Sequence, residues 1–556
     1  MALVACDVVD VRKVMAMMST RASHPWRFDR VVLMVAAVSA SAALVALSIL
    51  AWHHREFTVD DAFITLRYSM NLAEGHGPTW NPGEPPIEGY TTASWMFLMA
   101  LPHLLGVDAL SFAKVTGFVA ALGCAGSAAW LAAGLRRNAS PISRVLAASA
   151  AIVLVAGSTS MAVHAISGME TTLFAFLLTT FFAALLEWLR RTPEDGATSG
   201  TKKARAAVAL LALGAALTRP EGNLVVGVAF GTAFLFEKTR RREIALVAGL
   251  GWLVPYAAYY VWRFSYYGLF APLSFYVKAM NDDVWLRGLD EAYGFVHLLF
   301  VAQPYIGIFA LVGAWSSRRA LLPVIAAALA FVFFFLVPAP IMAYERRYLF
   351  PILPALCGIA AAGAGIAADR IAAASTRWWR EVHIEQSARA VGGALLLAFV
   401  VLAAARILAH ASGSIAGWTA YGQGLFRAHV QLGRDLRERA RALSSPPTVA
   451  LVDVGAVAYV SGWRTIDTFG LNDAHIARTG QHDPDYVRSQ DPEVVVFISQ
   501  KPDVLVPVTD LDWEKPIHDD FVARGYERFA TYHFADDYFL LALARPSTSG
   551  SAAARN

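Results

Sequence analysis

Asp60 and Asp61 stand side by side in the stretch Thr58-Val59-Asp60-Asp61-Ala62-Phe63, a few residues after a long apolar run closes at Trp52. Paired carboxylates at that depth suit one kind of chemistry. A carboxylate near a hydroxyl acts as general base, and one near an anomeric carbon stabilises a cation-like sugar. The plainer role is helix capping by Thr58 or Asp60, because acids favour helix N-termini. Two neighbours on an extended or capping segment point in different directions. One of Asp60 and Asp61 is therefore expected to face a reacting carbon, and the spacing does not choose between them.

More groups of this kind follow. The same loop carries Arg67, Glu88 and Tyr90. Further loops read Ser167-Gly168-Met169-Glu170-Thr171-Thr172, then Thr218-Arg219-Pro220-Glu221-Gly222, then a segment with Tyr276 and Lys278, and finally Tyr344-Glu345-Arg346-Arg347-Tyr348. Arg219, Lys278, Arg346 and Arg347 each need a partner. A protein carboxylate such as Glu170, Glu221 or Glu345 is one. A lipid-linked phosphate at the membrane surface is the other, since Arg and Lys are the usual phosphate ligands. A sugar carried on a polyprenyl phosphate reacts at headgroup height and needs cations to offset charge growing on the leaving phosphate. Arg67, Glu88, Tyr90, Glu170, Glu221 and Tyr276 are the substrate-contact candidates on these loops.

The elements that must position these groups are membrane helices. Of 556 residues, 56% are hydrophobic and 16% charged, and mean hydropathy is +0.46. A soluble globular protein carries about 25% charged residues. A disordered chain is excluded, a soluble enzyme is disfavoured, and a net charge of +4 is too small to argue for nucleic acid. The three cysteines, Cys6, Cys124 and Cys357, make no disulfide framework. No His or Cys cluster has zinc spacing.

Apolar runs near the length of about 20 residues needed for a span lie at Val31–Trp52, Leu110–Leu135, Val145–Ile166, Leu173–Leu189, Ala204–Leu217, Asn223–Phe236, Ile244–Trp262, Tyr293–Trp315, Leu321–Val337, Leu349–Ala368 and Gly392–Leu408. That predicts about 11 transmembrane helices. Ala93–Gly106 is short for a crossing and is expected to lie along the interface. Residues 1–30 read as a cytoplasmic tail. With that count, Arg136-Arg137, Arg190-Arg191 with Lys202-Lys203, Lys238 with Arg240 to Arg242, Arg318-Arg319 and Arg370 to Arg380 all fall inside, which agrees with the bias of cytoplasmic loops toward Lys and Arg. The paired short runs around Arg219 are expected to form a helical hairpin. The first outer loop is 53–109, within a membrane unit spanning 31–412.

Composition changes after that. Residues 413–546 contain no spanning run and show strand-like segments at Thr448–Val454, Val494–Ser499, Arg528–Phe534 and Tyr538–Ala544, with a helical stretch near Arg427–Leu443. This predicts a small extracytoplasmic α/β domain, followed by a disordered tail at 547–556. Trp463, Asn472, Asp473 and His475 form either a sugar platform or a structural corner, and Asp453 a turn. His475 is not a convincing metal ligand.

The stretches DDAFITLRYSMNLAEGHGPTWNPGE, SGMETTLF, LTRPEG, ERRYLFPILP and SGWRTIDTFGLNDAHIA, spread from Asp60 to about Arg478, resemble the GT-C glycosyltransferases. Within them they resemble the bacterial branch that contains terminal β-(1→2) arabinofuranosyltransferases. The resemblance implies an α-helical multi-pass membrane protein of the bacterial inner membrane with an extracytoplasmic active site. It further implies a polyprenyl-phosphate sugar donor, with decaprenyl-phosphoryl arabinofuranose as the example, and a cell-envelope polysaccharide or glycolipid acceptor. The family's acidic pair falls on Asp60 and Asp61, its TRPEG-like turn on Arg219 and Glu221, and its SG-ET turn on Gly168 and Glu170. Relatives read PNTYY ahead of a lysine where this chain has Pro272-Leu273-Ser274-Phe275-Tyr276, so the role of that segment stays open. So does the need for a divalent cation.

A flippase or transporter of a lipid-linked sugar is the alternative from another class. Transporters place ionisable groups near the bilayer midplane, whereas here they gather at the outer helix ends. GT-C enzymes that use mannose or aminoarabinose share the architecture.

Overall fold

The computed structural model describes residues 25–191, 199–279, 284–336, 343–378, 417–441 and 447–545. The expected span Gly392–Leu408, most of the N-terminal tail and the tail at 547–556 lie outside them.

The first apolar run forms the helix Pro25–His53 and the second forms Ala109–Leu135. The third is broken. Pro141–Ala156 and Thr159–Ile166 meet at 62° across Gly157 and Ser158. Thr171–Leu189 follows. Ser199–Thr218 and Glu221–Phe236 form the expected hairpin, turning at Arg219-Pro220. The run expected as one straight span over Tyr293–Trp315 is instead bent by 95° between Leu286–Ala302 and Pro304–Ser316. Pro304 has no N–H to extend the preceding helix and restricts the residue before it, and hydropathy does not register this. Among the described residues five helices are long and apolar enough to cross a membrane, or seven if each bent pair is one span. The chain is a multi-pass membrane protein on this evidence, and the count of 11 is not reached by the described residues.

Small residues set the closest helix contacts. Pro304–Ser316 lies against Leu353–Trp378 where Gly313 and Gly363 meet, and a Cβ on Gly363 would overlap the Phe309 carbonyl. Close backbone approach through small residues is the usual way helices pack in lipid.

The C-terminal unit is built on a five-stranded sheet in the order β2-β1-β3-β5-β4. The strands are β1 Thr448–Leu451, β2 Arg464–Asp467, β3 Val494–Ser499, β4 Glu527–Ala535 and β5 Tyr538–Ala544. β1 runs parallel to β2 and β3, and β5 pairs antiparallel with β3 and β4. One face packs Val495, Phe497 and Leu543 on Ile517 and Phe521 of the helix Glu514–Ala523. The other face shares a core with the segment 53–109, where Val494, Val496 and Leu540 join Phe63, Leu66, Tyr68 and Trp80. The helices Asp60–Ala73 and Val454–Ser461 form the seam between them. The C-terminal unit is thus seated on the loop that carries the paired aspartates.

Candidate active site

Both acids fall in the first turn of the helix Asp60–Ala73, whose N-cap Val59 is extended and makes no side-chain cap. Successive helical residues diverge by about 100°, so the two carboxylates separate. Asp60 turns into the seam. Its Oδ2 accepts the Gly455 N–H and its Oδ1 the Ala456 N–H, both at 2.8 Å. Asp60 therefore caps a helix, as the plainer expectation held, but the helix is Val454–Ser461 and not its own. Asp453, at that helix's own N-cap position, makes no cap bond and accepts instead from His429 Nε2 at 2.9 Å and the Tyr538 hydroxyl at 2.6 Å. Gly455 is required here, because a Cβ would overlap the Asp60 carbonyl oxygen. Burial raises the Asp60 carboxyl to about 6, with His429 opposing and Asp453 adding.

Asp61 turns the other way. Its side chain keeps 32% of its exposure and lines a cleft of ≈ 80 Å³ with Tyr90, Thr92, Met169, Ser274 and Arg347. Arg347 Nη1 stands 3.3 Å from Asp61 Oδ2, and Arg347 Nη2 is 4.0 Å from Glu170. Glu170 in turn pairs with Arg219 Nη1 at 2.9 Å, and Arg219 Nε with Glu221 at 2.6 Å. Asp61, Arg347, Glu170, Arg219 and Glu221 form one alternating chain. Three carboxylates against two guanidiniums leave it one formal negative charge, and Asp61 is its most exposed member.

Arg347 is aimed by an unusual turn. Glu345 and Arg346 both adopt left-handed backbone, with φ of 46° and 56°. Such residues cost on the order of 1–3 kcal/mol each and persist where their surroundings over-determine them. Here Glu345 accepts from Trp418 Nε1 at 2.9 Å and Ser160 Oγ at 2.8 Å, while its carbonyl meets His164 Nε2 at 3.2 Å. The turn sends Arg347 to Asp61 and Arg346 away to Asp290 at 3.4 Å and Glu291 at 3.5 Å. Ser160, His164 and Trp418 were not singled out from the sequence. His164 within an apolar run was the one available signal.

The remaining candidates sort by contact. Arg219 and Glu221 are buried against protein partners, so the carboxylate alternative is the one present at Arg219. Glu88 pairs with Arg263 at 2.5 Å, away from Asp61, and burial outweighs that partner to raise the carboxyl to about 7. Tyr90 reaches the cleft while its hydroxyl meets Tyr267 at 3.0 Å. Tyr276 lies on the helix Leu273–Ala279 beside Phe275. Lys278 is on the same helix, and its side chain lies outside the described residues.

Two groups are corrected. Arg67 is no substrate ligand. It is buried and donates to Trp80 O, Asn81 Oδ1, Ala458 O and Trp463 O, pinning the loop to the C-terminal unit. Nor do Trp463, Asn472, Asp473 and His475 form a sugar platform. Trp463 is 2% exposed and offers no face for stacking. Asn472 is held by Tyr68 and Asp467, Asp473 caps Ala474–Thr479, and the His475 ring stacks on Tyr486 at 4.1 Å. These residues form the structural corner. Among the described residues no group of three or more His, Cys, Asp or Glu side chains is arranged to hold a metal ion.

Comparison with known proteins adds three observations. A family described as "Domain of unknown function (DUF8728)" matches residues 419–549. The terminal β-(1→2)-arabinofuranosyltransferase of Mycobacterium tuberculosis is 29% identical over 262 residues, covering 45% of this chain and 39% of that protein. Its counterpart in Corynebacterium glutamicum is 29% identical over 259 residues, covering 42% and 35%. The matched region is thus about two fifths of the length of those relatives or less. ArnT from Cupriavidus metallidurans in the apo state superposes with a TM-score of 0.58 at 14% identity, covering 91% of this chain and 98% of ArnT. The same protein bound to undecaprenyl phosphate gives 0.55 at 15% identity, covering 95% and 99%. The chain has the fold of ArnT over nearly its whole length.

Proposed function

We propose that the protein is a membrane glycosyltransferase that moves a sugar, arabinofuranose first among the choices, from a polyprenyl-phosphate donor to a cell-envelope polysaccharide or glycolipid on the extracytoplasmic side. The observation that carries this reading is the half-buried Asp61 carboxylate facing Arg347 at the cleft. The names of the two matched relatives support the sugar, and the fold shared with ArnT, which binds undecaprenyl phosphate, supports the donor class. The basic loops at the opposite helix ends support the side.

In the step that follows from this geometry, the acceptor hydroxyl gives its proton to Asp61 as its oxygen bonds the anomeric carbon. The bond from that carbon to the donor phosphate oxygen breaks, and the polyprenyl phosphate leaves with the electron pair. Arg347 offsets the charge growing on that phosphate. Glu170 and Arg219 hold Arg347 in place, and Asp60 acts by fixing the C-terminal unit over the cleft. Lys278 is the further cation for the donor headgroup, while Arg346 is engaged by Asp290 and Glu291.

The test is transfer by purified protein from a panel of radiolabelled polyprenyl-phosphate sugars to envelope glycan acceptors. Incorporation from the arabinofuranosyl donor, lost in Asp61→Asn, is the expected result. Transfer that survives Asp61→Asn removes the assignment, and incorporation from a mannosyl or aminoarabinosyl donor alone moves the sugar.

A further inference from the structure

At the helix ends remote from Asp61, Arg137, Arg190, Arg318 and Arg319 line one cavity of ≈ 390 Å³, with Asn138, Ser316 and Ser317 as further polar lining. The separation is large. Thr171–Leu189 starts one residue after Glu170, and its 19 residues at 1.5 Å each carry the chain about 28 Å before Arg190. This cavity is not part of the cleft.

Its electrostatics differ from those of six other arginines in the helical unit, although Arg55 and Arg241 also donate to carbonyls. Arg136, Arg205, Arg219, Arg240, Arg263 and Arg347 each have a carboxylate within ion-pair distance. No carboxylate lines this cavity, and among the described residues none pairs with its four arginines. Arg190 donates to the Gly134 carbonyl at 2.8 Å and Arg318 to the Trp315 carbonyl at 3.1 Å, bonds that satisfy N–H groups and, among the described residues, leave both charges without a carboxylate. The Arg137 charge adds to burial in lowering the Arg190 value, with Glu187 opposing, so the cations of this cluster repel.

A general excess of Arg on one side of a membrane orients a protein. It does not require arginines from three chain segments to converge on a concavity. Convergent, unneutralised guanidiniums fit phosphate oxygens, which they bind in a two-pronged fork. The setting points to lipid, since the site lies at the helix ends and Trp315 beside it is 69% exposed, the placement of an interfacial anchor.

We propose that this cavity binds the phosphate headgroup of an anionic membrane lipid, separate from the sugar-donor site. Four arginines in one pocket favour a headgroup with two phosphates over one with a single phosphate.

The test uses the full chain in nanodiscs of phosphatidylcholine alone or with a minor fraction of cardiolipin or phosphatidylglycerol. Retained lipid is measured by native mass spectrometry and the thermal midpoint is followed alongside. Cardiolipin is expected to be retained and to raise the midpoint, phosphatidylglycerol less so. In the double variant Arg137→Gln/Arg319→Gln, cardiolipin affinity should fall about 25-fold, at about fivefold per cation. Arg137→Lys/Arg319→Lys, which keeps charge and loses the fork, should lie between. Lys238→Gln/Arg242→Gln removes two charges from the adjoining basic loop and should leave retention unchanged. Equal retention by the Gln variant and the parent overturns the proposal, as does equal loss in the loop control. A matching midpoint shift from inorganic phosphate in detergent overturns the lipid source.

Discussion

The Asp61 carboxylate and the Arg347 guanidinium stand 3.3 Å apart although 286 residues separate them in the chain. Arg347 reaches that point because Glu345 and Arg346 hold left-handed backbone, and Glu345 is locked by Ser160 and Trp418. Carboxylate and cation are therefore positioned by elements from distant parts of the sequence.

Asp61→Asn keeps shape and hydrogen bonding but removes the proton acceptor. The expected loss in kcat is on the order of 10²–10⁴-fold, the range for a positioned general base. KM for the donor and the thermal midpoint should change little. Asp60→Asn should show the opposite division, a lowered midpoint and a smaller loss of rate, because Asp60 holds the seam. Donor kinetics and thermal unfolding of the two variants make the comparison.

Arg219→Met takes from buried Glu221 its cation and leaves buried Glu170 only the more distant Arg347, at 4.0 Å. Removing one partner of a buried ion pair costs about 3–5 kcal/mol, so thermal unfolding should register a large destabilisation. Arg219→Lys should recover only part of it, since an ammonium cannot span both carboxylates as the guanidinium does.

Gly455→Ala places a methyl group against the Asp60 carbonyl. Forcing a methyl into a packed site costs about 1–3 kcal/mol. The helix Val454–Ser461 must move off Asp60, so the midpoint should drop and the rate with it. An unchanged midpoint would show that the seam is looser than the contacts suggest.

Stability should decline from mild acid toward alkali because of the seam. Burial works to lower His429, but its bond to Asp453, with Asp60 nearby, outweighs this and raises it. A group raised on folding contributes stability that is complete below its unfolded value of 6.5 and is lost as pH rises through the higher folded value. Asp60, raised by burial to about 6, acts in the same sense from a lower starting point. Asp453 is lowered, His429 and Tyr538 overcoming burial, so its contribution is present above 3.8 and disappears only in stronger acid. Thermal midpoints measured from about pH 6 to about pH 9 should fall in the parent. His429→Gln should flatten that slope.

Hydropathy and the basic loops were enough to read a multi-pass helical protein. Strands β3 and β5 were legible because they are continuous apolar runs bounded by turn residues. β2 was not, because Arg464-Thr465-Ile466-Asp467 has no apolar alternation and is a strand only through pairing with β1. The bend at Pro304 escaped for the same reason, since composition does not measure geometry. At the site, the residue types were visible and their partners were not. Arg67 and Arg219 look alike as cations on outer loops, yet one binds carbonyls and the other carboxylates. Only long-range packing separates those outcomes, as it separates Asp60 from Asp61.

Asp60 closes its bonds with residues 395 and 396 positions later in the chain. During synthesis the aspartate pair leaves the ribosome well ahead of these partners, and Asp60 must wait without them until Gly455 and Ala456 have followed. A nascent chain interrupted before Gly455 would thus carry every residue of the Asp61–Glu221 charge chain and still lack the support that orients it. Seating of the C-terminal unit, and not insertion of the helices alone, would complete the support around Asp60.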